Sequence, residues 1–332
     1  MRTTKHRFLI TGGAGFIGSH LCDLLVHLGH HVVAIDNLST GQLKNISHLQ
    51  PLPNFQFVRE TILNEQVLDR LTSESEIVVH LAAAVGVKLI VEDPVRTIQT
   101  NISGTEAVLN TANRYGCKVL IASTSEVYGK GVRVPFREND DSLMGSTGQS
   151  RWAYATSKAV DEFMGLAYNR QFGLPVVIMR FFNTVGPRQT GHYGMVVPRL
   201  VRQALLGEPI TVYGDGNQSR CFADVSDVVG AVVKLAGHPG AVGQVFNIGS
   251  TEEVTITELA DRIVALTNSK SAIEYIPYDK AYAPGFEDMR RRVPALEKVH
   301  SLIGYTPQCK LDDILRRVIE YERQQLAEEN IQ

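Results

Sequence analysis

Residues 8–18 read Phe8-Leu9-Ile10-Thr11-Gly12-Gly13-Ala14-Gly15-Phe16-Ile17-Gly18, a short apolar run that gives way to glycines at 12, 15 and 18. The run predicts a buried strand, and the glycines predict the turn that ends it. Without a Cβ they permit a tight turn, close approach of backbone to a phosphate, and close packing of the next helix on the strand. Apolar periodicity through Leu28 predicts that helix, whose first N–H groups, near Phe16 and Ile17, face an anion. The next strand, His31-Val32-Val33-Ala34-Ile35, ends at Asp36-Asn37, about twenty residues past the glycines. A carboxylate there accepts hydrogen bonds from ribose hydroxyls and repels a 2'-phosphate, and no arginine follows closely. The spacing therefore predicts a dinucleotide site, Gly12, Gly15, Phe16, Ile17, Gly18, Asp36 and Asn37, that takes NAD rather than NADP.

Working outward, strands are expected at 55–58, 77–81, 119–122 and 176–180, alternating with helices. That alternation predicts an α/β fold with a doubly wound parallel sheet and ligands at the carboxyl ends of its strands. Leu81, Ala82 and Ala83 sit at such an end, where small side chains suit close approach by a cofactor. His80 reads as a packed residue. Helices at 101–115 and 153–171 carry apolar faces that either cover the sheet or form a helical dimer contact. Further on, helices are expected at 199–206, 255–266 and from 311 to about 327, with strands at 210–213 and 246–249.

The chain has 332 residues, long for one core, so a large and a small domain are expected. A formal charge of −2 gives no electrostatic case for nucleic acid or an anionic membrane. Cys22, Cys117, Cys221 and Cys309 are scattered without ligand or disulfide spacing, which reads as free thiols in a reducing compartment. No apolar run reaches a signal peptide or a span, so a cytoplasmic protein without a membrane anchor is expected. No cluster of His, Cys and carboxylates has ligand spacing, and no metal is expected.

The chemistry lies at Thr124-Ser125-Glu126 and at Tyr154-Ala155-Thr156-Ser157-Lys158. Tyrosine and lysine four apart share a helical face, so the ammonium can lie near the phenol and favour its ionised form. Tyr154 is then a candidate acid/base, with the Thr124 hydroxyl arriving on a loop after a strand. Working near neutral pH asks for a fall of about three units from the phenol's reference near 10, roughly 4 kcal/mol.

Together, TGGAGFIG, the strand ending in Asp36-Asn37, HLAAA, STSEVYG at 123–129, YATSK at 154–158 and RFFNTVGPRQ at 180–189 resemble the extended short-chain dehydrogenase/reductase family. The resemblance implies a Rossmann domain holding NAD, expected at 1–182 with about 221–250, and a smaller nucleotide-sugar domain at 183–220 and 251–332. It also implies a homodimer through a four-helix contact. Residue by residue, it places Asn101, Tyr154 and Lys158 with the cofactor, and Ser125, Asn183, Arg188, Val197, Arg199, Tyr213 and Arg220 with a UDP-linked sugar. For Arg220, a salt bridge to Asp224 or Asp227 is the structural alternative. At 59–62 the chain departs from the family, with Thr61 where relatives carry an aspartate near the adenine.

Family chemistry begins with oxidation at C4 of the sugar. Ser125 stands where 4,6-dehydratases carry aspartate, which argues against dehydration. Thr124-Ser125-Glu126 is similar to UDP-glucuronate decarboxylases, in which the C4 ketone makes the C6 carboxylate a β-keto acid. The 281–294 stretch resembles the decarboxylase segment whose arginine meets the sugar carboxylate, and Arg292 holds that position, although Val293 replaces a common lysine. Arg290 and Arg291 read as a solvated charge run. The resemblance thus implies a decarboxylase with Thr124, Glu126, Tyr154, Lys158 and Arg292 as catalytic residues. A UDP-hexose or UDP-hexuronate 4-epimerase is the alternative, and a non-catalytic NAD-binding sensor a third reading.

Overall fold

The computed structural model describes residues 4–84, 93–149, 151–191, 195–281 and 289–329. Six strands come first: β1 (Arg7–Thr11), β2 (His31–Ile35), β3 (Phe55–Val58), β4 (Ile77–His80), β5 (Lys118–Thr124) and β6 (Val176–Phe181). The chain then leaves this sheet for β7 (Thr184–Val185), β8 (Ile210–Tyr213), β9 (Ser219–Cys221) and β10 (Ala223–Asp224), before β11 (Gln244–Ile248) returns to it. The result is one parallel seven-stranded sheet in the order β11-β6-β5-β4-β1-β2-β3.

Both faces of the sheet are covered, which explains why its strands are apolar throughout rather than alternating. Phe8 and Ile10 pack with Leu21 and Leu25 of the helix Phe16–His27 and with Val228 and Val232 of the helix Val225–Gly237. Leu9 and Val78 pack on the opposite face with Leu68 and Leu71 of the helix Glu65–Ser73 and Val108 and Leu109 of the helix Pro94–Tyr115. A separate core joins Leu200 and Val201 of the helix Val196–Leu206, Leu259 and Ile263 of the helix Ile256–Thr267, and Ile314, Leu315 and Val318 of the helix Leu311–Glu329. Each such buried side chain stabilises the fold by about 1.5–3 kcal/mol.

Three helices start elsewhere than the sequence reading placed them, two of them for a local cause. The helix expected to start at 101 begins at Pro94, because Asp93 caps it by accepting from the Arg96 N–H at 3.2 Å and proline sits at its first turn without losing a bond. The helix expected from 199 begins at Val196. The helix expected from 255 uses Thr255 as its cap, in a reciprocal box with Glu258. Two more strands, β12 (Glu253–Thr255) and β13 (Ile273–Ile276), pair with β9 and β8, and β14 (Arg291–Arg292) lies on the other side of β9. Among the described residues no helix is long and apolar enough to cross a membrane, and no group of three His, Cys, Asp or Glu could hold a metal.

Candidate active site

A cleft of about 690 Å³ runs along the carboxyl ends of the central strands and is bounded on the far side by residues of the second core region. At its inner end Gly12 adopts φ +71°, and a Cβ there would stand 2.9 Å from the Ala82 nitrogen. A Cβ on Gly18 would stand 2.1 Å from the Gly12 oxygen, so helix and turn are in direct backbone contact. No side chain caps the helix that opens at Gly15. Its first-turn N–H groups, at Phe16, Ile17 and Gly18 on the cleft wall, suit phosphate oxygens.

Asp36 accepts from the Ala14 N–H at 3.0 Å and the Leu38 N–H at 2.8 Å, one on each oxygen. Burial raises its proton affinity and these N–H groups lower it. Each oxygen retains acceptor capacity, and the residue lines the cleft beside Asn37. The glycine turn, the uncapped helix start and this anchored carboxylate fit the pyrophosphate and ribose of a dinucleotide. Thr61 also lines the wall, although its hydroxyl accepts from the Leu63 N–H at 3.3 Å in a local turn.

Leu81, Ala82 and Ala83 line the same end. The N–H groups of Leu81 and Ala82 donate to the Thr11 hydroxyl, which also meets His80 Nδ1 at 2.8 Å, while His80 Nε2 meets Thr105 at 3.1 Å. Burial, with the charge of Lys158, pushes the His80 imidazole down to about 3, so it is a neutral structural residue. Asn101 requires a correction, since it is not among the residues lining the cleft. Its side chain accepts from the Ala84 N–H at 2.8 Å and donates to Ser157 Oγ at 3.1 Å, bracing the Ala82–Ala84 loop against the Tyr154 helix from behind.

Thr124 ends β5 and caps the short turn Ser125–Tyr128, its hydroxyl accepting from the Glu126 N–H at 3.2 Å. Tyr154 and Lys158 face the cleft from the helix Arg151–Phe172. The spacing did not reveal a further partner of the ammonium: Lys158 Nζ lies 2.6 Å from Asp161 Oδ2, and both side chains are buried. Burial holds the phenol of Tyr154 well above its ordinary range, reinforced by the negative charges of Glu126 and Asp161. The Thr124 hydroxyl and the Arg292 charge act in the other direction.

Arg292 reaches this centre from β14, its Nη1 3.3 Å from Glu126 Oε1, with both side chains largely buried. The segment is held there by Phe136, whose N–H donates to the Val293 oxygen and whose oxygen accepts from the Ala295 N–H, each at 2.8 Å. Arg292 is in register with Arg220 across β9, and both line the cleft. Asp224 caps a helix and pairs with Arg317, and Asp227 accepts from the Gln308 and Cys309 N–H groups, so these carboxylates are engaged away from Arg220. Arg290 pairs with Asp215 and Arg291 with Glu253 on the surface, each at 2.8 Å.

Ser125, Asn183, Arg188, Val197, Arg199 and Tyr213 complete the lining expected from sequence. Arg188, at φ +68°, is drawn to Asp23 at 2.8 Å, and Arg199 lies over the Tyr213 ring at 4.1 Å while donating to the Thr211 oxygen. Sequence reasoning missed Gln189, Thr190, Gln218 and Tyr278. The Tyr278 ring packs on Gly214, where a Cβ would stand 2.5 Å from it. A tyrosine opening a short helical turn carried no signal of that approach, although Gln189 ends the motif at 180–189 and Thr190 follows it.

The model of the NAD dependent epimerase/dehydratase family matches residues 8–249. The chain is 43% identical over 321 residues to a UDP-N-acetyl-alpha-D-glucosaminuronate decarboxylase of Bacillus cytotoxicus, covering 96% of this chain and 98% of that one. It is 38% identical to UDP-glucuronic acid decarboxylase 1 of Danio rerio, covering 97% of this chain and 74% of that one. Among solved structures, UDP-glucuronic acid 4-epimerase of Bacillus cereus, in complex with UDP-glucuronic acid and NAD, superposes with a TM-score of 0.87 at 30% identity, covering 96% of this chain and 99% of that one. With the glycine turn, the anchored Asp36 and the Tyr154–Lys158 helix on one cleft, this chain belongs to the NAD-dependent epimerase/dehydratase family, and NAD is its cofactor.

Proposed function

We propose that the enzyme decarboxylates a UDP-linked hexuronate through a 4-keto sugar, with UDP-glucuronate as the substrate. The carrying observation is the Glu126–Arg292 pair, which sets a carboxylate-binding cation in the same cleft as Thr124 and Tyr154. The 2-acetamido sugar named in the Bacillus cytotoxicus relative favours a second substrate, UDP-N-acetylglucosaminuronate. A 4-epimerase, as in the superposed structure, has the same opening chemistry without loss of carbon.

Bound NAD supplies the hydride acceptor, and later the donor, at the sugar's C4. Tyr154 takes the proton of the 4-hydroxyl, with Thr124 donating a hydrogen bond to the developing charge. The resulting ketone is β to the C6 carboxylate, so the C5–C6 bond breaks with its electron pair entering an enolate at C4. Release of CO2 is followed by protonation at C5. Arg292 grips the carboxylate, and Glu126 weakens that grip by sharing the guanidinium. This matters because a contact that favoured the intact carboxylate more than the transition state would slow its loss.

By this reading Ser125, Asn183, Arg188, Val197, Arg199, Tyr213 and Arg220 hold the sugar nucleotide. The cofactor contacts are Gly12, Gly15, Phe16, Ile17, Gly18, Asp36, Asn37, Leu81, Ala82, Ala83, Tyr154 and Lys158. Residues 1–182 with about 221–250 form the NAD domain, and 183–220 with 251–332 the substrate domain; the core built from the helices Val196–Leu206, Ile256–Thr267 and Leu311–Glu329 supports the second, while Val299 and Tyr305 pack into the sheet core of the first. The protein works in the cytoplasm, its four cysteines being free thiols, and as a homodimer. Exposed Val95 and Ile98 on one helix and Phe163 and Phe172 on its packed neighbour supply an apolar surface for the partner.

The test is incubation of the purified enzyme with NAD and each hexuronate, following CO2 and products by NMR. CO2 with a pentose or 4-keto pentose product is expected from UDP-glucuronate. UDP-galacturonate without CO2 would establish the epimerase instead.

A further inference from the structure

Lys158 and Asp161 lie three residues apart on one helix, and both side chains are buried at their 2.6 Å contact. Asp161 Oδ1 has no hydrogen bond of normal geometry, although the Thr105 hydroxyl still favours its ionised form. Burial and Glu162 raise the proton affinity of this carboxyl, and Lys158 is the charge that lowers it. An ammonium has three donors. One committed to Asp161 restricts the directions of the other two, and Lys158 itself lines the cleft.

We propose that Asp161 is a positioning residue: its ion pair with Lys158 holds the ammonium at the cleft wall and offsets its charge, so that the pair sets how readily Tyr154 yields its proton. The inference rests on the reading of Tyr154 as the acid/base. Charged and polar groups face the phenol from three sides: Thr124 from the end of β5 with Glu126 from the turn that follows it, Arg292 from β14, and Asp161 from its own helix. Asp161 in turn faces Lys158, Glu162 and Thr105, and Thr105 is bonded to neutral His80.

Charge balance around the pair predicts four states. The native pair is neutral overall. Asp161→Asn leaves a lone ammonium and lowers the phenol's proton affinity, whereas Lys158→Met leaves a lone carboxylate and raises it. The double variant restores neutrality and returns toward the native value.

The experiment is a tyrosinate titration by near-ultraviolet absorbance of the NAD-loaded protein without substrate, over the pH range in which circular dichroism shows the fold retained. Subtracting the matching Tyr154→Phe protein isolates Tyr154. Asp161→Asn is expected to form tyrosinate about one pH unit lower than the native protein. The rising limb of kcat/KM should move down equally. Coincident titrations overturn the proposal, because a merely structural aspartate would change stability without moving this curve.

If Asp161→Asn does not fold, Lys158→Met is compared with Lys158→Met/Asp161→Asn, which buries no lone charge. The double variant is expected to titrate about one unit below the single one, and coincidence overturns the inference. Since the absorbance titrations use no substrate, their outcomes stand apart from a failure of the decarboxylase reading, which would show as absent CO2 from the native enzyme.

Discussion

Arg292→Met removes the cation from the Glu126–Arg292 pair while keeping much of its volume. A charge-assisted hydrogen bond to a carboxylate contributes about 1.5–3 kcal/mol. The native 3.3 Å separation exceeds the roughly 2.7–2.9 Å of a tight charged bond, so Glu126 holds the guanidinium loosely and the substrate carboxylate can claim most of that interaction. At about 1.4 kcal/mol per tenfold, kcat/KM for UDP-glucuronate should fall about 10- to 150-fold. Loss of the guanidinium also leaves the Glu126 charge less compensated, which deepens the loss. Because the Arg292 charge is one of the effects lowering the phenol's proton affinity, the rising limb of the pH profile should move to higher pH. Initial rates of CO2 release across pH measure both effects, and calorimetric binding of UDP, which lacks the carboxylate, serves as the control. Equal weakening of UDP and UDP-glucuronate, or a fall in kcat/KM below about threefold, would refute the assignment of Arg292 to the carboxylate.

Gly18→Ala should yield protein with little bound NAD, because its Cβ has only 2.1 Å to the Gly12 oxygen; a normal cofactor content on purification would show that the turn tolerates displacement. Asn101→Ala strips the Ala84 N–H of its acceptor and should cost about 1–3 kcal/mol in denaturant unfolding, with an unchanged midpoint arguing against the bracing role. The Glu253 carboxyl is held down to about 2 by Arg291 and Ser219, from an ordinary 4.5. Stability from that pair is complete above the unfolded value, about 4.5, and is lost as pH falls toward about 2. Thermal unfolding of Glu253→Gln should therefore vary less over this interval than the native protein, and parallel curves would remove the pair from the acid response.

The glycine turn was legible because only glycine tolerates those backbone approaches, and Asp36 because a carboxylate at a strand end has few uses. The YATSK spacing located Tyr154 and Lys158 on one helical face. It could not reveal the ion pair, since Asp161 sits in the same stretch and i,i+3 spacing is shared by solvent-exposed pairs; burial distinguishes them. Asn101 faces the back of the cofactor wall because its helix begins at Pro94 and presents that residue to the Ala84 loop. The meeting of Glu126 with Arg292 depends on strand pairing across a long separation in sequence, which local periodicity does not encode. Resemblance supplied Arg292 where pattern alone did not.

The two backbone bonds around Phe136 act as a clasp. They join the loop following the catalytic turn to the segment just past Arg292, while β14 continues the small sheet through β9. Drawing Arg292 away from Glu126 by moving β14 therefore pulls on the loop that carries Phe136, and both bonds must break before the strand can leave. A strand clasped in this way favours entry over the remaining rim of the cleft and keeps Arg292 beside Glu126. In exchange with deuterated water, the amides of Phe136 and Ala295 mark the durability of that clasp, tying the lifetime of an active-site geometry to two main-chain protons that touch no substrate.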